Sequence, residues 1–312
     1  MEPRFLGVDI GGTKCAVCLG YGSGHIIDRR AFPTRESLGP QQAIDNLFKF
    51  TDELLQQHGR RIDAIGIACG SPLDWEKGII QAPAQLSSWK DVPIVKIFSE
   101  RYHTPAFLDN DANAGALAEY CFGAGRGYQH IAFLTFGTGM GAGFVLNGQV
   151  YRGANCYAGE IGHLRLSPSG PLGCRKAGSF EGWCSGAGIA QIAAKEHANF
   201  NGRTNLSPSA SAEDVGLAAE QGDPLALKVL ELSGHYLGIA LALILDTLNP
   251  QRIIIGSIFK RCEKFLRPAM EIALAQEALP QTIAACQIVP SELGDHVGDL
   301  AALSIAGIRS RE

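Results

Sequence analysis

Four short stretches hold residue types that can act on a phosphate or a hydroxyl group. The first is Asp9-Ile10-Gly11-Gly12-Thr13-Lys14. Phosphate oxygens need several backbone N–H donors converging at close range, which glycine-rich backbone permits. Thr13 adds a hydroxyl donor and Lys14 a positive charge. The spacing of glycine, lysine and hydroxyl residue is not that of a P-loop, and strand-like sequence follows instead of a helix. The second stretch is Gly137-Thr138-Gly139-Met140-Gly141-Ala142-Gly143. It is followed by a hairpin pattern, so it is not a dinucleotide-binding fingerprint. Either turn alone is equally a plain tight hairpin; both, at the same point of a repeated pattern, point to phosphate. Asp9 closes an apolar run, where a turn residue is common. Beside a phosphate turn it can also orient a magnesium ion through water, because Mg²⁺ keeps much of its hydration shell.

The third stretch is Leu108-Asp109-Asn110-Asp111-Ala112-Asn113-Ala114, where an apolar strand meets a helix. Its polar residues are common helix caps, but one cap needs one of them, and here four of five consecutive positions are Asp or Asn. Phosphorylating an alcohol requires a carboxylate within hydrogen-bond reach of the attacking hydroxyl, and a strand end is a sensible place for it. The fourth is Ala158-Gly159-Glu160-Ile161-Gly162-His163, with Glu181 further on. Carboxylate and imidazole groups can bind neighbouring hydroxyls. Taken locally, His163 reads as a structural histidine, and Glu160 and Glu181 as solvated charges, sooner than as functional groups.

The elements that must position these residues read as follows. Strands are expected at Phe5–Ile10 and Cys15–Leu19 on either side of the first turn, with buried strands at 62–69 and 106–109. Gln41–His58 has helical apolar spacing, ended by Gly59, and 112–122 reads as a short helix. The pattern then restarts with a strand at 131–136, the second glycine turn, and a hairpin about Asn147-Gly148. Asp223-Pro224 opens a long helix, Ile253–Ile255 is a strand ending in Gly256, and Asp299 reads as the cap of a last helix. Two similar openings imply two related α/β halves facing one another across a cleft. We divide the chain into an N-terminal α/β domain over 1–115, completed by a C-terminal helix at 298–312, and a larger domain over 116–297.

Composition limits what these elements can serve. The 312 residues are 46% hydrophobic and 19% charged, enough for two packed units. A net charge of −4 gives no electrostatic reason to expect a nucleic acid or an anionic membrane as partner. The nine cysteines are an odd number scattered among apolar neighbours, which suits reduced thiols in a cytoplasm better than a disulfide framework. No cationic segment precedes an apolar run at the N-terminus, and Leu237–Leu248 is too short to cross a bilayer.

Together these stretches resemble the ROK family (repressors, open reading frames and kinases) of the actin-like sugar-kinase superfamily, along nearly the whole chain. Asp9–Lys14 is similar to the family's first phosphate motif and Gly137–Gly143 to its second. Asn110–Ala114 resembles its catalytic segment, and Gly159–His163 its sugar-binding one. Leu248-Asn249-Pro250 with Ile253–Gly256 resembles its adenosine-side segment. The resemblance implies an α/β fold of two ribonuclease-H-like domains flanking a nucleotide and sugar cleft. It also implies an ATP- and Mg²⁺-dependent kinase acting on a hexose or N-acetylhexosamine, with Asp111 as general base. Gly70, Ser71, Asn110, Asp111, Glu160, His163 and Glu181 would then hold the sugar. Asp9, Gly11, Gly12, Thr13, Lys14, Gly137, Thr138, Gly139, Gly141 and Gly256 would hold the nucleotide. A homodimer is implied as well.

The sequence departs from the family in one metal site. The usual zinc ligands are the sugar-contacting histidine and three cysteines, but Leu172 and Ser179 stand where two of those cysteines would be. His163 and Cys174 alone are half of a structural zinc set, so no zinc is expected. In the sugar loop Ala84 replaces an asparagine, with Gln85 beside it, which bears on substrate choice more than on the reaction. The competing reading is a catalytically inactive sugar-binding regulator of the same family. Such repressors carry an N-terminal DNA-binding region, for which a phosphate turn starting at residue 9 leaves no room; retention of a base also argues for the kinase.

Overall fold

The computed structural model describes residues 2–311, which form two compact units. One comprises residues 2–126, Arg152–Tyr157 and residues 293–311; the other comprises Gly127–Tyr151 and Ala158–Glu292.

In the first unit, β1 (Arg4–Ile10), β2 (Lys14–Tyr21) and β3 (Ile26–Pro33) form an antiparallel meander. Helix α1 (Gly39–His58) carries Pro40 in its first turn and ends at Gly59, whose φ of 92° suits glycine. Then come β4 (Ala64–Cys69), the small hairpin β5 (Leu73–Asp74) and β6 (Ile79–Ile80), α2 (Ile94–Tyr102), β7 (Ala106–Asn110) and α3 (Asp111–Phe122). The five-stranded sheet runs β3-β2-β1-β4-β7, with β1, β4 and β7 parallel. All six residues of β4 are buried, as expected for a strand covered on both faces. One face packs Leu47, Leu54, Trp89 and Phe98 against the sheet.

The second unit repeats the plan. Its strands β8 (Ile131–Leu134), β9 (Ala142–Leu146) and β10 (Gln149–Val150) are antiparallel. A two-stranded ribbon follows, β11 (Leu172–Gly173) and β12 (Lys176–Ala177). Helices α4 (Phe180–Trp183), α5 (Gly186–Ala198), α6 (Ala212–Glu220) and α7 (Pro224–Leu248) lead to β13 (Arg252–Ile255). Helices α8 (Ser257–Glu277) and α9 (Pro280–Ala285) precede β14 (Gln287–Pro290). The sheet order is β10-β9-β8-β13-β14, with β8, β13 and β14 parallel. Strand for strand this is the order and polarity of the first sheet, so the two expected halves are real.

Helix α7 is capped as expected, Asp223 accepting from the N–H groups of Leu225 and Ala226. It is longer than its Leu237–Leu248 portion: its 25 residues are long and apolar enough, by length and composition, to cross a membrane. Leu230, Leu237, Leu241 and Leu245 are instead buried in the core of the second unit, each contributing about 1.5–3 kcal/mol.

The last helix, α10 (Val297–Arg309), belongs to the first unit. There Leu300, Leu303 and Ile305 pack with Ala114 and Ala118 of α3 and Ala64 and Ala68 of β4. Asp299 is not its cap. It lies inside the helix, 3% exposed, and accepts from Arg29 Nε at 2.6 Å.

Candidate active site

In parallel sheets the strand ends are where loops can converge on a ligand. In the first unit Ile10 is level with Cys69, and Cys69 with Asn110. The residues that follow each strand are therefore neighbours: the Gly11–Lys14 turn, Gly70-Ser71, and Asp111.

The first turn is a tight hairpin, Gly11 N–H donating to Lys14 O at 3.1 Å. Thr34, just after β3, braces it, its hydroxyl donating to Gly11 O at 2.6 Å. Thr13 and Lys14 are exposed at its tip. Gln85 of the loop over 82–86 packs directly on Gly12, where an added β-carbon would lie 2.3 Å from Gln85 Cβ.

Asn110 is the N-cap of α3, its Oδ1 accepting from Ala112 N and Asn113 N at 2.9 and 3.2 Å. Its Nδ2 donates to Ser71 Oγ at 2.8 Å. One amide thus caps the helix and ties it to the loop Gly70-Ser71-Pro72. Asp111 opens α3 with its carboxylate accepting from Ala112 N at 2.8 Å. A β-carbon on Gly70 would lie 3.8 Å from Asp111 Oδ2, so the glycine faces that carboxylate. Asp111 retains solvent-accessible surface. The surrounding protein nevertheless raises its carboxyl above the ordinary range by desolvation, against the lowering pull of Ala112 N–H.

Asp9 sits at the end of β1 and is pushed up to about 7, first by burial, then by the negative charges of Asp111 and Asp299, with Lys14 and Arg29 opposing. Its carboxylate lies against the first turn of α10, where a β-carbon on Gly298 would fall 2.6 Å from Asp9 Oδ2. Three carboxylates thus gather where the sequence shows only two, because Asp299 arrives from the far end of the chain.

In the second unit the Gly137–Gly143 turn leaves β8 and returns as β9. Gly141 N–H donates to Thr135 Oγ1 at 3.0 Å, and Gly186 N–H, at the start of α5, donates to Gly137 O at 2.8 Å. Gly256 caps α8 behind this turn: a β-carbon there would lie 2.5 Å from Thr135 O, so the approach demands glycine.

Glu181 is heavily engaged. Its Oε2 accepts from Met140 N at 3.1 Å, and its Oε1 accepts from Cys174 N at 2.8 Å and from the Cys174 thiol at 3.2 Å. This carboxylate joins the second glycine turn to the β11–β12 ribbon. Glu160 and His163 lie at either end of one 3₁₀ turn, Ile161–His163, and both are exposed. His163 O accepts from Lys176 Nζ at 2.7 Å.

The residues standing in for the family's zinc ligands do other work. Ser179 Oγ accepts from Gly182 N at 3.1 Å as the cap of α4 and donates to Gly173 O at 2.8 Å. Leu172 is 57% exposed. Burial and Glu181 push the Cys174 thiol up to about 12. Among the described residues no group of three or more His, Cys, Asp or Glu side chains is arranged to hold a metal ion. The donors at this ribbon do not fit zinc.

Two glycine turns at the same point of two identically ordered sheets, with the Asn110-Asp111 corner beside the first, call for comparison with known proteins. The ROK family profile matches residues 5–307. The chain belongs to the ROK family. This ROK chain is 34% identical over 305 residues to a glucokinase of Halalkalibacterium halodurans, covering 94% of itself and 92% of that protein. It superposes with a TM-score of 0.80 on a ROK family glucokinase from Streptomyces griseus solved with glucose and AMPPNP, at 26% identity over 97% of this chain and 99% of that one. A ROK family transcriptional regulator, a homolog of the E. coli MLC protein, superposes at 0.88 with 25% identity, over 99% of this chain and 79% of that one. The fold is therefore the α/β actin-like ATPase fold of the ROK kinases.

Proposed function

We propose that this ROK family sugar phosphotransferase moves the γ-phosphoryl group of ATP to a hydroxyl of a hexose or N-acetylhexosamine. Asp111 acts as general base. The observation that carries the reading is the corner at the end of β7: a carboxylate set by Ala112 N–H, beside the Gly70-Ser71 loop and next to the Gly11–Lys14 turn. The raised carboxyl of Asp111 is suited to taking a proton from an alcohol, since a stronger base shares the proton more fully as the oxygen attacks. The sugar oxygen bonds to the γ-phosphorus, the β–γ bridging bond breaks, ADP departs with that electron pair, and the hydroxyl proton passes to Asp111. Gly70, Ser71, Asn110, Glu160, His163 and Glu181 orient the sugar. Gly11, Gly12, Thr13 and Lys14, with Gly137, Thr138, Gly139, Gly141 and Gly256, hold the nucleotide.

Burial first, and then the charges of Asp111 and Asp299, raise Asp9 to about 7, a cost that a nearby dication would relieve. No directly gripping set exists among the described residues, so Asp9 would hold magnesium through water. When bound, that ion neutralises phosphate charge. Zinc has no part in the proposal. We also place the protein in the cytoplasm, without nucleic-acid or membrane partners, a reading supported by its net charge of −4 and nine free cysteines; a homodimer is what the family resemblance implies.

The second reading, a sugar-binding regulator without catalysis, has the likeness to the transcriptional regulator in its favour. A coupled ADP-release screen over glucose, mannose, fructose, allose and the N-acetylated hexosamines separates the two. Turnover with one sugar supports the kinase. Sugar binding without ADP release from any of them overturns it.

A further inference from the structure

Between Tyr151 and Ala158 of the second unit, the six residues Arg152–Tyr157 belong to the first unit. Arg152 leads this excursion, and its guanidinium meets two parts of the acceptor corner. Arg152 Nε and Nη2 donate to Asp109 Oδ2 at 3.1 and 2.5 Å. Asp109 is almost fully buried, at 3% exposure, and Arg152 is 17% exposed. The other oxygen, Asp109 Oδ1, accepts from Asn110 N at 2.8 Å and from Asn113 Nδ2 at 3.3 Å. The same guanidinium lies over the Trp75 ring, 4.6 Å from its centroid. Trp75 closes the loop that begins at Gly70-Ser71, and the Arg309 guanidinium of α10 also lies over that ring at 4.5 Å. Arg152 therefore fixes both walls that flank Asp111: the end of β7 through Asp109, and the sugar loop through Trp75. The Asn110–Ser71 bond ties those walls together.

We infer that Arg152 is a positioning residue for the sugar acceptor, acting through Asp109 and Trp75. The inference rests on the sugar-kinase reading. A fork-shaped cation can chelate a carboxylate oxygen and stack on an indole at once, while a lysine can do only one of these well. Losing it leaves a buried carboxylate without its cation and frees the loop. Displacements on the order of 1 Å at a reacting group cost about 10²-fold in rate.

The test compares wild type, Arg152→Met, Arg152→Lys and Trp75→Leu on the sugar the wild type turns over best, with kcat and both KM values normalised to folded protein. We expect Arg152→Met to lower kcat by about 10²-fold and to raise the sugar KM about tenfold, leaving the ATP KM within about threefold. Arg152→Lys should recover part of both losses, and Trp75→Leu should raise the sugar KM alone. Unchanged kinetics per folded molecule, or equal loss of sugar and ATP affinity, would overturn the inference. Should Arg152→Met not fold, Arg152→Lys and Trp75→Leu decide by the same criteria. A wild type that turns over no sugar defeats the kinase reading instead. Sugar-induced melting shifts, present in wild type and lost selectively in the variants, then still judge Arg152.

Discussion

Replacing Asp9 with Asn should make the protein more stable while removing its activity. The Asp9 carboxyl is raised from 3.8 to about 7, so the folded state resists ionising a group that the unfolded chain ionises readily. The sign follows from proton linkage. Between those two values the folded protein holds more protons than the unfolded chain, so the favourable contribution is complete below pH 3.8 and is lost as pH rises through about 7. At about 1.36 kcal/mol per decade the full span corresponds to roughly 4 kcal/mol. Asp9 keeps part of its surface open, and solvent screening reduces this to about 2 kcal/mol. An asparagine of the same shape carries no charge and escapes that penalty, provided its amide fits beside Gly298. Thermal melting without nucleotide or magnesium, at pH 8 and pH 5.5, reads the effect. The variant should melt several degrees higher at pH 8, at about 2–4 °C per kcal/mol, with roughly half the gain at pH 5.5. Its phosphoryl transfer should fall by at least about 10²-fold. An equal or lower melting temperature at pH 8, or a gain that does not change with pH, would refute the electrostatic account of this cluster.

Other outcomes follow from the same geometry. Asp111→Asn should reduce kcat by about 10²–10⁴-fold with the sugar KM within a few-fold, since the amide keeps a hydrogen bond but takes no proton; an undiminished kcat in steady-state assays removes Asp111 from the mechanism. Because desolvation raises the Asp111 carboxyl, the acid limb of kcat/KM should lie above the usual 3.8, and a pH–rate profile still flat down to pH 4 would contradict this. Glu181→Gln leaves one of its N–H or S–H neighbours facing an amide NH₂, so it should cost about 1–3 kcal/mol and raise the sugar KM; a variant that melts and binds sugar like wild type would show those bonds to be dispensable. Metal analysis should find less than one zinc per chain, and activity should survive chelation once Mg²⁺ is restored, whereas one tightly held zinc would reject that view of the β11–β12 ribbon.

Much of the candidate site's geometry was legible because it is local. A glycine turn after a buried strand, and an Asn-Asp pair at a strand-to-helix junction, carry their geometry within a few residues. The repeated opening likewise announced two sheets of one design, and Asn147-Gly148 marked its hairpin. Strand β3 stayed hidden because Asp28, Arg29 and Arg30 interrupt its apolar pattern, and its outer position in the sheet tolerates them. Asp299 was misread for a related reason. An acidic residue near a helix start is ordinarily a cap, and nothing nearby reveals that its partner is Arg29, 270 residues away.

The same limit applies to the residues that hold the corner. Asp109 looked like one of several possible caps, yet Asn110 is the cap and Asp109 lies behind it, bound to Arg152 from a glycine- and asparagine-rich stretch that carries no periodic signal. Glu181 seemed a sugar ligand or a solvated charge, and three hydrogen bonds make it a brace for the second glycine turn. In the family's zinc site a metal would supply that brace. Here Ser179 caps α4, and Glu181 accepts from the Cys174 thiol, which burial first and then Glu181 push up to about 12. Losing two cysteines therefore need not have loosened this ribbon. Hydrogen bonds are weaker singly than metal coordination, but three converge on the Glu181 carboxylate, two from Cys174 and one from the Met140 backbone N–H in the second glycine turn.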